Sequence, residues 1–383
     1  MIDYTLTEEQ VALKEMAFEF AMKEMRPNAA KYDQSHEFPW EIMQKAFDAG
    51  FMTCQIPEAY GGGGLSNFDT ALLSEELSKG CPGMFTSIMA VSLATMPIVL
   101  FGSEEQKKRF LGPLCRKMTL ASYCLTERES GSDAGAIRTK AVREGDHYVL
   151  NGAKCFITNG GVADLFTVFA STHPDKGPRG ISAFIVEKGT PGLSVGKVED
   201  KMGHRASNTA ELFFDDCRVP ASNLLGKERH GFLMAMKTFD RTRSSVGASA
   251  VGLAQAALDL AVEYAKTRTQ FGKSIALFQA NQFKIAQMAM EIQAARHLVW
   301  HAAWLSDQGK PCGAESAMAK TFATDVAMRT TVEALQIFGG YGYMRDYPIE
   351  KLMRDAKLLQ IYEGTNEIQR QIIALDVIGP IKS

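Results

Sequence analysis

The spacing of apolar side chains changes period twice along the 383 residues, and that double switch restricts the chain to folds with a β unit between two helical ones. Residues 1–115 read as helices. Thr7-Glu8-Glu9-Gln10 resembles a capping box ahead of Val11, Leu13, Met16 and Phe20, and residues 41–50 read as a short helix closed by Gly50. From 116 to 228 the period falls to two. Asn151-Gly152 separates two apolar runs, Tyr148-Val149-Leu150 and Cys155-Phe156-Ile157, and so predicts a hairpin. Further strands are expected at 165–170, 181–186, 193–198 and 210–214, spaced by Pro and Gly turns as in a small β-barrel or sandwich. Over 229–383 the helical period returns. Val251, Ala254, Leu258, Ala261 and Ala265 recur at three and four, as do Ile285, Met288, Ile292, Ala295 and Val299. Two such helices joined by about twenty residues should lie side by side in a bundle. The expected fold class is therefore multi-domain α+β, with helices, then a β domain, then a helical bundle.

Composition removes several function classes. With 46% hydrophobic and 22% charged residues the chain can bury a core, and a net charge of -2 offers no global positive field for nucleic acid. Seven cysteines without a C-x-x-C pair fit neither a disulfide framework nor a zinc site. The polar, acidic start lacks the features of a signal or transit peptide, so a cytoplasmic protein is expected, or a mitochondrial-matrix one if the chain is a processed form. Residues 80–103 carry no charge over 24 positions, the length of a membrane span. Pro82 and Pro97 and the scattered Thr86, Ser87, Ser92 and Thr95 favour a buried helix with flanking loops, and no membrane span is expected.

Generic chemistries find little support. Gly61 to Gly64 lack the Lys-Ser/Thr that completes a phosphate-binding P-loop and read as a turn. His297 and His301 have metal-ligand spacing but no third ligand in a recognisable pattern, and Cys124 and Cys155 have no partner that would stabilise a thiolate. No G-x-S-x-G or G-x-G-x-x-G stands in a strand-turn-helix context. Two segments are richer. Cys124-Leu125-Thr126-Glu127-Arg128-Glu129-Ser130-Gly131-Ser132-Asp133-Ala134-Gly135-Ala136 crowds hydroxyls and small residues where the β domain begins, suiting close approach to a planar or phosphorylated ligand. Gln336-Ile337-Phe338-Gly339-Gly340-Tyr341-Gly342-Tyr343, followed by Arg345-Asp346 and by Met353-Arg354-Asp355, lets the backbone turn tightly beside a diphosphate.

With Ile361-Tyr362-Glu363-Gly364-Thr365-Asn366-Glu367, these segments resemble the signatures of the acyl-CoA dehydrogenase family of flavoproteins. Further similarity runs through Phe156-Ile157-Thr158-Asn159, Lys201-Met202-Gly203, Val219-Pro220, Arg268 with Phe271-Gly272-Lys273, and Gln279, covering residues 3–375. The resemblance implies an N-terminal helical domain, a middle β domain and a C-terminal four-helix bundle. It further implies FAD between the middle and C-terminal domains, touched by a neighbouring subunit, in a homotetramer built as a dimer of dimers.

Carried over residue by residue, the resemblance places Tyr123, Cys124, Leu125, Thr126, Phe156, Ile157 and Thr158 against the isoalloxazine ring. Ser132 would face the CoA pantetheine and diphosphate. Arg268, Phe271, Gln279, Gln336, Gly339 and Gly340 would hold the ribityl-ADP portion across the subunit contact, and Thr365 and Glu367 would complete the pocket. Asp240, Arg243, Tyr362 and Gly364 would bind substrate. Glu363 is the implied base, removing the weakly acidic α-proton of an acyl-CoA thioester while the β-hydride leaves to flavin N5. Branches of the family that place the base on the bundle helix carry Glu where this chain has Thr242, which cannot serve. Departures are Arg128 and Ser130, where family members usually have Pro and Ala, and Phe156, where the stacking aromatic is usually Trp.

The implied activity is dehydrogenation of an acyl-CoA to the 2,3-enoyl-CoA, with electrons passed to an electron-transfer flavoprotein. The alternatives are a same-fold oxidase that uses oxygen and a non-catalytic acyl-CoA-binding flavoprotein. Residues 85–99 are expected to wall the acyl pocket. Their small side chains and lack of a cation allow more than acetyl and disfavour a dicarboxylic acyl group.

Overall fold

The computed structural model describes residues 5–380; residues 1–4 of the polar start and 381–383 of the last block lie outside the described residues. The first helix, α1 (Glu8–Phe20), starts at a complete capping box: Gln10 N–H donates to Thr7 Oγ1 and Thr7 N–H to Gln10 Oε1. Short helices α2 (Ala29–Ser35) and α3 (Trp40–Asp48) follow, the latter ending just before Gly50 in the left-handed region. Residues 61–64 form a turn, and α4 (Asn67–Gly80) is capped by Ser66 and Asp69.

The uncharged segment becomes α5 (Pro82–Phe101), ahead of α6 (Glu104–Arg116). Pro82 occupies the first turn, where a missing N–H costs nothing. Pro97 does not interrupt the helix as its residue type suggested, but lies within it. An interior proline costs about 3 kcal/mol, whereas each large apolar side chain taken out of water contributes about 1.5–3 kcal/mol. With Met84, Phe85, Ile88, Val91 and Ile98 all buried, packing outweighs the lost bond. Both α5 and the later helix Gly231–Thr267 are long and apolar enough to cross a membrane, but 67% and 78% of their most apolar windows are buried inside the protein.

The middle of the chain holds β1 (Ala121–Cys124), β2 (Lys140–Glu144), β3 (His147–Thr158), β4 (Leu165–Ser171), β5 (Ile181–Glu187), β6 (Leu193–Val198), β7 (Thr209–Pro220) and β8 (Leu224–Leu225). They form one sheet in the order β6-β7-β3-β2-β4-β5-β8, with β1 added parallel to β4. A single bridge, Lys140 to Ser171, joins its two halves. The hairpin expected at Asn151-Gly152 is a correction: β3 runs straight through those residues as a bulge opposite β7. Asn151 is held sideways instead, accepting from Asp216 N–H and donating to Asp216 Oδ1 at 2.9 and 3.0 Å. Gly152 is needed for a close approach, since a Cβ there would stand 2.5 Å from Thr139 Oγ1. The real hairpin turns at Gly145-Asp146, between β2 and β3.

The last block packs α7 (Gly231–Thr267), α8 (Gln279–Asp307) and α9 (Gly313–Phe338) against one another, with α10 (Ile349–Leu359) and α11 (Asn366–Ile378) across α9. Val251, Ala254, Leu258, Ala261 and Ala265 of α7 are buried, as are Met288, Ile292, Ala295 and Val299 of α8. The helices outrun their apolar stripes, so the link between α7 and α8 is only residues 268–278, including the ribbon β9 (Thr269–Gln270) and β10 (Lys273–Ser274).

One buried network ties the blocks together. His204, in the loop after β6, pairs its Nδ1 with Thr86 Oγ1 of α5 at 3.0 Å and its Nε2 with Asp355 O of α10 at 3.0 Å. Asp355 also accepts from His204 N–H at 2.6 Å and from Lys351 Nζ at 2.5 Å, and Lys351 reaches Cys81 Sγ at 3.5 Å. Burial pushes the His204 imidazole down to about 4, so it stays neutral while Lys351 and Asp355 form the ion pair.

Candidate active site

The site begins with a buried ion pair. Lys154 of β3 donates to Glu127 Oε1 at 2.7 Å and to Leu125 O at 3.0 Å. Glu127 also accepts from the N–H groups of Arg138 and Thr139 at 2.5 and 3.0 Å, which closes residues 127–139 into one loop. Removing one member of such a pair costs roughly 3–5 kcal/mol because the other charge is left buried. The loop is thereby fixed over the end of β1, with Gly131 to Gly135 against the cavity described below.

Two residues beyond Lys154 on the same strand, Phe156 sits at a second irregularity of β3, with φ 57° and 65% of its surface exposed. A bulky residue in the left-handed region costs about 1–2 kcal/mol, and the described residues leave most of this side chain uncovered. Tyr123, which lines the same cavity and packs its ring on Phe169 and Phe239, has its OH buried without a hydrogen-bond partner. An uncovered aromatic face and an unused hydroxyl on one wall are what a flat heteroaromatic ligand requires.

Opposite, the chain leaves α10 and enters α11 through Tyr362-Glu363-Gly364-Thr365. Glu363 has φ 52° and Gly364 φ 91°. Thr365 caps α11 by accepting from Ile368 N–H. A Cβ on Gly364 would lie 2.4 Å from Gln369 Nε2, so only glycine lets that amide cross the turn. The Glu363 carboxylate points back to α7, where Thr242 Oγ1 donates to its Oε2 at 2.8 Å. Burial raises the Glu363 pKa above the usual carboxylate value, against the Thr242 hydrogen bond and the charges of Arg243 and Lys320. Arg243 pairs with Asp240 at 3.1 Å and leaves its Nε without a partner.

These parts surround a cavity of about 460 Å³. Of the residues singled out in the sequence, Tyr123, Leu125, Thr126, Ser132, Phe156, Thr158, Arg243, Tyr362, Glu363 and Gly364 line it. Cys124 and Ile157 are buried beneath it, because strand alternation turns them to the core. Asp240 stands behind Arg243, while Thr365 and Glu367 lie in the first turn of α11 outside the lining. Arg268, Phe271, Gln279, Gln336, Gly339 and Gly340 are not in the cavity. Arg268 lies with its guanidinium 5.4 Å from the Tyr341 ring, Phe271 is 93% exposed at the tip of the β9-β10 ribbon, and Gln279, Gln336, Gly339 and Gly340 are exposed at helix ends. From α5, Phe85, Thr86, Met89, Ala90, Ser92 and Leu93 complete one wall.

Sequence reasoning missed Lys320 and Gln369, which bond the backbone of the 363–364 turn, and the Lys154–Glu127 pair. A lysine inside an apolar period is read as facing water, so no pattern signals it.

The chain matches the acyl-CoA dehydrogenase N-terminal domain over residues 7–118, the middle domain over 122–217 and the C-terminal domain over 229–378. It is 50% identical over 376 residues to an acyl-CoA dehydrogenase of Bacillus subtilis (strain 168), spanning 98% of this chain and 99% of that protein. Among solved structures it is similar to butyryl-CoA dehydrogenase from Megasphaera elsdenii, with TM-score 0.96, 46% identity and coverage of 99% and 100% of the two chains. It is also similar to a chain in the structure described as the electron transferring flavoprotein of Acidaminococcus fermentans. There the TM-score is 0.97 and the identity 50%, over 99% of this chain and all of the other.

Proposed function

The chain belongs to the acyl-CoA dehydrogenase family of flavoprotein oxidoreductases, and from that premise we propose that it binds FAD and dehydrogenates a short, uncharged acyl-CoA to its 2,3-enoyl-CoA, with Glu363 as base. The observation that carries the reading is the Glu363 carboxylate: it sits on a strained turn in the cavity wall with its pKa raised by burial. An α-proton of a thioester is weakly acidic, and a carboxylate with raised pKa is a better-matched acceptor for it than an ordinary surface glutamate.

Phe156 and the orphaned Tyr123 hydroxyl fit a flavin ring, and Leu125, Thr126 and Thr158 add backbone and hydroxyl groups on the same wall. Bound FAD supplies the acceptor for the β-hydrogen and its electron pair. Glu363 takes the α-proton, and its own backbone N–H is offered to the thioester oxygen, where charge grows as that proton leaves. Thr242 holds the carboxylate in place, and Ser132, on the exposed loop at the cavity mouth, faces the CoA arm. Arg243 is the only cation among the lining residues and its charge is balanced by Asp240, so the lining carries no net positive charge for a distal carboxylate. The likeness to butyryl-CoA dehydrogenase supports a short acyl chain, and that to the electron transferring flavoprotein structure supports such a protein as electron acceptor. Exposed Phe271, Gln279, Gln336, Gly339 and Gly340 are read as contacts to FAD across a subunit interface, in a dimer of dimers.

The test is anaerobic titration of the purified yellow protein with acetyl-, butyryl-, octanoyl- and glutaryl-CoA. Butyryl-CoA is expected to bleach the flavin fastest. Absence of FAD from folded protein, or of bleaching by every ester, defeats the reading; rapid turnover with oxygen as sole acceptor turns it into an oxidase.

A further inference from the structure

Lys320 is fully buried in α9, yet the mechanism above gives it no part. Its Nζ donates to Gly364 O and to Asn366 Oδ1, each at 2.9 Å. From α11, Gln369 Nε2 donates to Glu363 O at 3.2 Å and Gly364 O at 3.1 Å. Both carbonyls of the left-handed pair are thus held by buried side chains. Asn366 is fixed in turn, donating to Asp325 Oδ1 at 2.8 Å and to Thr324 Oγ1 at 2.9 Å. Lys320, Thr324 and Asp325 therefore present one face of α9 to the turn, with a cation at its centre.

We propose that Lys320 is a positioning residue for the base: it pins the turn that carries Glu363 and supplies the positive field that keeps the Glu363 carboxylate ionised. This rests on the reading of Glu363 as the proton acceptor. The groups facing Glu363 are Thr242 and Arg243 from α7, Tyr123 from β1, the neighbouring Tyr362, and Lys320 from α9. Arg243 shares its charge with Asp240, whereas the hydrogen-bond partners of Lys320 are neutral oxygens. Asp325 on its own helix and Glu367 on α11 also face Lys320. Burial brings the lysine down to about 7, so its charge is present on the acid side of neutrality, where the carboxylate is closest to being protonated.

An adjacent cation lowers a carboxylate pKa, so removing it raises the pH at which Glu363 loses its proton and moves the acid limb of kcat upward. Lys320→Gln keeps a donor for Gly364 O and loses the charge; Lys320→Met loses both. In flavin-loaded holoenzyme the acid limb of both variants should move up by roughly one pH unit, with kcat about tenfold lower below it. KM for butyryl-CoA should change little. Above the pH where the lysine has itself lost its proton, about 7, Lys320→Gln and wild type should converge. Gln369→Met, which removes an uncharged donor from the same turn, should lower kcat and leave the limb in place.

A limb that stays put in Lys320→Gln overturns the proposal, as does an even loss of kcat at every pH. Failure of both Lys320 variants to yield flavin-loaded protein also overturns it, because the lysine would then be holding the bundle together rather than setting the base. Glu363→Gln, measured alongside, separates the two readings. If that variant still turns over, the base is elsewhere; if it is inactive and the Lys320 limb is unmoved, the base stands and the role of Lys320 falls.

Discussion

Glu363-Gly364 and Phe271-Gly272 use the same backbone device, a large residue and a glycine in succession in the left-handed region, at φ 52° and 91° and at φ 49° and 74°. They differ in what covers them. The first pair is held from below by Lys320 and Gln369 and faces the cavity. The second stands at the tip of a two-residue ribbon with Phe271 93% exposed. A non-glycine residue in this conformation costs about 1–2 kcal/mol, so each turn must be offset by contacts. For Glu363 those contacts lie within the chain. For Phe271 the described residues offer an edge contact to Phe278, at 6.1 Å, and leave the rest of the ring in the open. A strained turn inside its own clamp suits positioning of a reacting group, and a strained turn in the open suits assembly.

The sharpest way to break this comparison is Glu363→Gln, which keeps the turn and removes the proposed base. Turnover should fall by about 10²- to 10⁴-fold, the range for a positioned general base. Flavin content and the affinity for acyl-CoA should hardly change. Placing Glu at 242 in that background should restore part of the rate, because the Thr242 hydroxyl already lies 2.8 Å from the Glu363 carboxylate. The measurement is stopped-flow bleaching by butyryl-CoA; near-normal rates in Glu363→Gln remove the contrast altogether.

A smaller effect is expected at the open turn. Phe271→Gly relieves the backbone strain, so the isolated fold should gain stability rather than lose it. If the ring packs on a neighbouring subunit, its loss should weaken assembly and flavin retention about tenfold, in the range of a single well-packed interface side chain. Sedimentation and flavin release on dilution report both. A variant as well assembled as wild type would show Phe271 to be merely exposed.

The same two turns explain what the sequence could and could not reveal. Helices α7 and α8 are legible from the three-and-four spacing of their apolar residues, and the strands at 165–170 and 181–186 from short apolar runs between Pro and Gly turns, which the structure buries on both faces. The Asn-Gly hairpin was misplaced because the Asn151 side chain is drawn into hydrogen bonds with Asp216, a residue far along the chain. Gly145-Asp146, flanked by charges, carried the true turn without an apolar frame to advertise it. Glu363 stood out only through the resemblance of its neighbours; alone, a Glu at the head of a helix reads as a cap. Lys154 and Lys320 were invisible for a different reason. Their burial is compensated by partners distant in sequence, Glu127 and Asn366, and hydrophobic periodicity contains no term for such a pair.

The smallest effect tests how finely the closed turn is adjusted. Thr242→Val removes the hydroxyl that donates to Glu363 Oε2 and nearly preserves shape. Burial already raises the carboxylate pKa and the Thr242 hydrogen bond opposes that rise, so its loss should raise the pKa further. A hydrogen bond to a charged group is worth about 1.5–3 kcal/mol, but water admitted to the cavity replaces part of it. The acid limb of kcat should therefore move up by less than about one unit, since one unit corresponds to 1.36 kcal/mol. A carboxylate acting as base is active only when ionised, so kcat should be lower by a few-fold below the limb and unchanged well above it. No comparable pH effect should follow from Phe271→Gly, because no titrating group of the cavity meets that ring. A Thr242→Val profile that superimposes on wild type would mean that Arg243 and Lys320 alone set the ionisation of Glu363, and that the hydroxyl only fixes its rotamer.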